Sequence, residues 1–230
     1  MLEVPAGVFV RGSGPQEGEA DERPQAKIAL SAFWLDRTEV TTRRYQACVA
    51  AGACTPAAAG KGCNAGAIDE RPVNCVTWHQ ADGYCRWAGA RLPTEAEWER
   101  ACRGDDGRIH PWGNEPPSCG VVVWYDPKLR YACGKYGTWP VQSKPAGVSP
   151  VGAMDMAGNV WEWVADWYGE KYYASAGTVD PQGPDKGRDK IARGGGWGHD
   201  PPGNHRCARR LRFSPSNNTP GIGFRCAAGP

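Results

Sequence analysis

Arg91-Leu92-Pro93-Thr94-Glu95-Ala96-Glu97-Trp98-Glu99 is the stretch whose reading decides the fold. Pro93 ends whatever precedes it, and Thr94 with Glu97 three residues later forms a capping box, in which each residue satisfies an otherwise unpaired amide of the other. A short helix is therefore expected to start at Thr94, with Trp98, Ala101 and Cys102 on one face. Working back from it, Trp78 to Ala88 reads as a second helix, with Ala81, Tyr84, Cys85 and Ala88 aligned and Gly89 as its stop. Thr41 is the N-cap of a further helix, which runs through Tyr45 and Cys48 and ends near Gly52.

Strands are expected where short apolar or β-branched runs lie between turn residues. These are Val4 to Val10, interrupted by a turn, then Phe33-Trp34-Leu35 and Val160 to Val164. They resume at Ile191-Ala192-Arg193, from Arg206 to Phe213, and at Gly223 to Cys226. From Gly104 to Pro150 there is little periodicity and much Gly, Pro and aromatic content. Irregular stretches of that length are usually functional loops or cross-linked surface.

The totals point the same way. Among 230 residues are 31 Gly, 20 Pro and 11 Trp. So many indoles bury enough apolar surface to order a chain that Gly and Pro would otherwise loosen. The expectation is an α+β, irregular, loop-rich fold with little regular secondary structure, forming one domain over residues 1–230. A net charge of +2 supplies no field for nucleic acid. No run approaches the roughly 20 apolar residues that span a bilayer, so direct membrane insertion is not expected.

Ten cysteines, with no CxxC pairs arranged for zinc, read as five disulfides. Disulfides persist in oxidising compartments, which predicts an extracytoplasmic protein: periplasmic, cell-surface or secreted. Met1-Leu2-Glu3-Val4-Pro5 has neither the basic start nor the apolar run of a signal peptide. The domain is therefore expected to follow a removed leader or to belong to a larger chain.

Three segments resemble the sulfatase-modifying-factor, or formylglycine-generating-enzyme, family. They are Arg91 to Glu99, Gly158-Asn159-Val160-Trp161-Glu162-Trp163, and Arg193-Gly194-Gly195-Gly196-Trp197 with Gly221-Ile222-Gly223-Phe224-Arg225. Val4 to Phe9 and Asp36-Arg37-Thr38-Glu39-Val40-Thr41 fit the same pattern. The resemblance implies a disulfide-stapled fold related to C-type lectins. It also implies the pairs Cys85–Cys226 and Cys102–Cys207. Proximity in sequence suggests Cys48–Cys54, Cys63–Cys75 and Cys119–Cys133 for the rest.

Function varies within the family more than fold does. Copper-dependent members oxidise a sulfatase cysteine to formylglycine and need two thiolates a few residues apart, since soft ligands hold Cu(I). In this sequence His199 stands in register with the first of those cysteines, the second has no counterpart, and Cys207 matches a disulfide cysteine. Copper binding of the family type is therefore not expected. A replacement metal site from His199, His205 and Asp200 is the chemical alternative. Sulfoxide synthases of the family need a further iron-binding domain, and none is read in residues 1–230, so that activity is not expected.

The resemblance also implies one calcium site. Its ligands are the Asp155 and Glu162 carboxylates with the carbonyls of Gly158 and Val160, all hard oxygen donors. The remaining candidate surface is a groove carrying Trp161, Trp197, His199, Asp200, His205 and Arg206, suited to a peptide, a protein or a small polar ligand. The arginines at 193, 206, 209, 210, 212 and 225 either grip an anion there or pair internally with carboxylates such as Glu95, Glu97 and Glu162. The leading expectation is a noncatalytic binding or sensory domain. The alternatives are an oxidase with an altered metal site and a variable receptor whose surface loop spans residues 197–220.

Overall fold

The computed structural model describes residues 1–198 and 201–229. Its strands are β1 (Leu2–Val4), β2 (Gly7–Arg11), β3 (Ala26–Leu30), β4 (Phe33–Leu35), β5 (Trp161–Trp167), β6 (Lys190–Arg193), β7 (Leu211–Phe213), β8 (Ile222–Phe224) and β9 (Ala227–Ala228). The helices are α1 (Thr42–Ala50), α2 (Trp78–Trp87), α3 (Glu95–Arg103) and the single turn α4 (Tyr172–Ser175). The fold is mixed α+β and loop-rich. Between Gly104 and Val160 a 3-10 turn at Pro145–Gly147 is the sole regular element.

A four-stranded sheet in the order β7-β6-β5-β8 forms the centre, with β5 and β8 parallel and its other pairs antiparallel. Because strand side chains alternate between faces, β5 and β6 supply two cores at once. Trp163 and Ala192 face one apolar cluster, together with Tyr45 of α1 and Tyr84 of α2. Val164 and Ile191 face another, together with Trp98 and Ala101 of α3 and Phe9 of β2. The ends of the chain close a second sheet, β1-β4-β9, and β2 pairs with β3 as a hairpin.

All three long helices begin as the sequence dictates. The hydroxyls of Thr41, Thr77 and Thr94 each accept the N3 amide, and at Thr77 and Thr94 the capping box is complete. Two strand readings need correction. Val4 to Val10 is two strands in two sheets, because the chain turns at Pro5-Ala6. Arg206 to Phe213 is strand only over Leu211–Phe213. Upstream of it Cys207 is tied to Cys102, and Arg206 and Arg210 turn inward to Glu22 and Glu95, which breaks the two-residue alternation. β3 and β9 are strands beyond those that the sequence predicts.

All ten cysteines are paired, as Cys48–Cys54, Cys63–Cys75, Cys85–Cys226, Cys102–Cys207 and Cys119–Cys133. Cys85–Cys226 ties α2 to the C-terminal segment, and Cys102–Cys207 ties α3 to the loop before β7.

The arginines 193, 210 and 225 pair inside the protein. Every residue of α3 is buried, its charges included. Glu95 accepts from Arg193 at 3.1 Å and from Arg210 at 2.8 and 3.0 Å, while Glu99 accepts from Arg193 at 2.8 Å and Arg103 at 2.9 Å. Glu97 is taken instead by Arg91. Asp166 Oδ2 accepts the Glu95 amide at 2.7 Å, yet burial and the Glu95 charge raise its carboxyl to about 7. A carboxyl raised above its unfolded value near 4 favours folding fully below that value, and this contribution is lost as pH rises through about 7. Asp166→Asn keeps an acceptor for the Glu95 amide and removes the titration. Melting followed from pH 4 to 8 should fall less steeply in this variant than in the wild type, and parallel profiles would refute the assignment.

Candidate functional site

A buried polar constellation lies where Asp155 to Glu162 enters β5. Asp155, Gly158 and Asn159 all take left-handed backbone angles, with φ of 57°, 75° and 59°. Asp, Asn and Gly are the residues that tolerate this region, and such clusters of strain concentrate at working sites. Gly158 is required for a second reason: a Cβ there would lie 2.4 Å from the Val123 carbonyl oxygen.

Three buried carboxylates, Glu39, Asp155 and Glu162, lie within electrostatic reach of one another here. Glu162 is fully buried; Arg225 donates to both of its oxygens (2.7 and 2.6 Å), and Trp98 Nε1 donates to Oε2 (2.8 Å). Asp155 Oδ2 accepts the Gln142 amide at 2.7 Å, and burial raises its carboxyl to about 6. Glu39, which the sequence reading left without a role, is completely buried. Its Oε2 accepts from Asn159 Nδ2 at 3.2 Å, and its Oε1 has no hydrogen-bond partner among the described residues. Burial, then the charges of Asp155 and Glu162, push Glu39 well above the usual carboxylate range. One guanidinium thus faces three acids in a dry region.

Protonation of Glu39 relieves part of that imbalance, and a divalent cation would relieve it as well. Glu162 Oε1 carries one donor and so keeps a lone pair open. Among the described residues no three His, Cys, Asp or Glu side chains converge as a metal cluster, so a cation here relies on main-chain carbonyls as well. The donor set of Asp155, Glu162 and the carbonyls of Gly158 and Val160 is all oxygen and fits calcium in chemical character. Glu39 lay within a quoted motif, but only its burial beside two other acids distinguishes it.

The expected groove is more closed than its residue types suggest. Trp161 is buried on β5, paired with Ile222 of β8. Trp197 is 6% exposed, and its Nε1 donates to the Pro220 carbonyl at 3.1 Å. His205 is fully buried on the 3-10 turn Pro202–His205, its Nε2 3.4 Å from the Gly196 carbonyl and its ring against the edge of Trp124. Gly195, at φ 81°, lets the turn approach, since a Cβ there would lie 2.8 Å from the imidazole. Arg206 forms a two-bond pair with Glu22 (2.6 and 2.7 Å) and borders a cavity of about 220 Å³ shared with Ser13, Arg103 and Ile109. His199 and Asp200 lie outside the described residues. The structure therefore brings His205 to the Gly194–Trp197 turn, while Arg206 faces the β2–β3 loop. A second cleft, of about 440 Å³, is lined by Asp21, Tyr168, Arg209 and Arg212. There the Arg212 guanidinium lies 4.6 Å from the Tyr168 ring centroid.

Comparison with known proteins places this geometry in a family. Residues 1–229 match the model of the "Sulfatase-modifying factor enzyme 1-like domain". The formylglycine-generating enzyme of Streptomyces coelicolor is 37% identical over 280 residues, covering 99% of this chain and 88% of that protein. The serine/threonine-protein kinase pkn1 of Chlamydia caviae is 36% identical over 258 residues, covering 100% of this chain but 38% of the kinase. Among solved structures, PvdO from Pseudomonas aeruginosa superposes with a TM-score of 0.83 at 27% identity, over 99% of this chain and 93% of that one. The chain belongs to the sulfatase-modifying-factor family, the family of the formylglycine-generating enzymes.

Proposed function

We propose that this chain is a noncatalytic, extracytoplasmic binding or sensory domain of its family, recognising a peptide, a protein or a small polar ligand. The observation that carries this reading is that all ten cysteines are consumed in disulfides. The family's copper chemistry requires two thiolates, and every sulfur of this chain that could provide one is already oxidised. His205 is packed into the core against Gly196 and Trp124, which does not suit it to replace a thiolate at an open substrate site. Five disulfides fit an oxidising compartment. Among the described residues no helix is long and apolar enough to cross a membrane.

In the same reading Asp155, Glu162 and the carbonyls of Gly158 and Val160 hold one calcium, which neutralises the acids around Arg225 and pins the loop entering β5. The cavity beside Arg206 accepts an anionic or polar group of the ligand.

Elemental mass spectrometry on protein prepared without chelators, then offered Ca²⁺ and Cu⁺ in turn, tests both parts. The expected result is one equivalent of calcium and no tightly held copper. Calcium at a hundred times its Kd should add about 2.7 kcal/mol of stability, lost in Asp155→Ala. Stoichiometric copper or iron that disappears in His199→Ala would overturn the binding reading in favour of an oxidase with an altered metal site.

A further inference from the structure

Three of the most exposed large apolar residues of the protein fall within one loop: Leu129 (56% exposed), Tyr131 (50%) and Tyr136 (49%). The loop is built to hold them out. Arg130, Tyr131 and Cys133 take left-handed angles, with φ of 58°, 42° and 50°. For a residue as bulky as tyrosine that conformation is costly and persists only where the surroundings impose it. Here the Cys119–Cys133 disulfide, the Arg130 amide donating to the Asp126 carbonyl (2.7 Å) and the Gly134 amide donating to the Arg130 carbonyl (2.9 Å) impose it.

The rings form a continuous chain. Tyr131 meets Tyr136 edge-on at 5.5 Å, and Tyr136 meets Trp197 edge-on at 4.9 Å. The patch thereby abuts the Gly194–Trp197 turn. Its charge is one-sided. Between Gly120 and Lys144 the sequence carries Lys128, Arg130, Lys135 and Lys144 against a single acid, Asp126. Asp126 is spent on the turn, accepting the amides of Lys128 and Leu129 at 2.8 and 2.9 Å. From a neighbouring loop Lys61 adds its ammonium 5.3 Å from the Tyr136 ring centroid, and Lys135 lies 4.7 Å from that of Trp139.

We infer that this patch is a docking surface for an acidic protein segment with a central apolar side chain, which enters between Leu129 and the tyrosines while its carboxylates meet Lys61 and Lys135. The inference rests on the binding-domain reading and names the partner's class. Exposed tyrosine and arginine are among the residues that dominate protein–protein contacts. The lysine over Tyr136 occupies the ring face that a sugar or a base would need for stacking, yet leaves an ammonium for a carboxylate to pair with. One sign of charge on the patch steers an oppositely charged segment to it.

The test is fluorescence anisotropy of a labelled peptide of Glu and Asp residues around a central Leu-Tyr pair. Its charge-reversed Lys version, heparin and phosphatidylglycerol vesicles serve as comparators. Saturable binding of the acidic peptide alone, weakened by salt, is expected. Lys61→Glu with Lys135→Glu should weaken it at least about tenfold, as should Tyr136→Ser, while Lys186→Glu outside the patch changes nothing. Melting temperatures equal to the wild type establish that the variants are folded. Absent binding, equal binding by the patch variants, or preference for heparin or vesicles would overturn the inference. None of these outcomes alters the metal analysis on which the binding-domain reading stands or falls.

Discussion

Glu95→Ala is expected to destabilise the protein by about 3–5 kcal/mol, the range for removing one partner from a buried ion pair. Glu95 is 2% exposed and holds two arginines that are themselves buried, Arg193 and Arg210. After the substitution Arg193 keeps Glu99, but Arg210 keeps hydrogen bonds only to the carbonyls of Asp21 and Gly169, beside the rings of Tyr168 and Tyr173. A guanidinium that cannot lose its proton then sits in the core with no carboxylate hydrogen-bonded to it, and the fold must admit water or open around it. Arg43→Ala makes the contrast. It removes an ion pair of similar length, 2.7 Å to Glu70, in which both side chains are more than half exposed, and should cost under about 1 kcal/mol. Urea denaturation of the two variants measures the difference. Equal small losses would mean that the arginine–glutamate network around α3 is already hydrated and contributes no more than surface pairs do.

Removing Cys85–Cys226 as a double alanine variant should be the largest single loss among the disulfides. The bridge closes 141 residues, whereas Cys48–Cys54 closes 6. On the chain-entropy model those loops correspond to about 5 and about 2 kcal/mol of restraint on the unfolded chain. The long bridge also holds α2 against the segment after β8, beneath Tyr84 and Phe224, whose rings are 5.4 Å apart. Its loss removes restraint and packing together. Thermal melting of both double variants distinguishes the cases. A Cys48–Cys54 variant as damaged as the Cys85–Cys226 variant would show that strain or residual structure, rather than loop closure, sets the contribution.

What could be read from the sequence was local. Thr94 and Glu97 fix a helix start because both partners lie within one turn. Gly89 stops α2 by its own conformational freedom, with φ of 73°. The cysteine count and spacing indicated a stapled, loop-rich protein, and the ordered motifs from Arg91 to Arg225 indicated its family. The Asp155 to Glu162 turn stood out through its resemblance to a family calcium loop, and its Asp, Gly and Asn are residues that accept left-handed angles.

What only the tertiary structure decided concerns burial and partners from distant parts of the chain. The sequence of α3, Glu-Ala-Glu-Trp-Glu-Arg-Ala-Cys-Arg, reads as a half-solvated helix, yet all of it is buried. The reason is that Arg193 and Arg210, about a hundred residues away, arrive to neutralise its inner face. Glu39 becomes notable only when the fold sets it beside Asp155 and Glu162. Trp197 and His205 look like groove residues by type, and packing against Pro220, Tyr136, Gly196 and Trp124 draws them inside. Conversely, Tyr131 and Tyr136 looked like part of an irregular stretch, and a disulfide with left-handed backbone turns them to the surface. A charge or a ring is placed by what neutralises or covers it, and in this protein that group is usually far away in sequence.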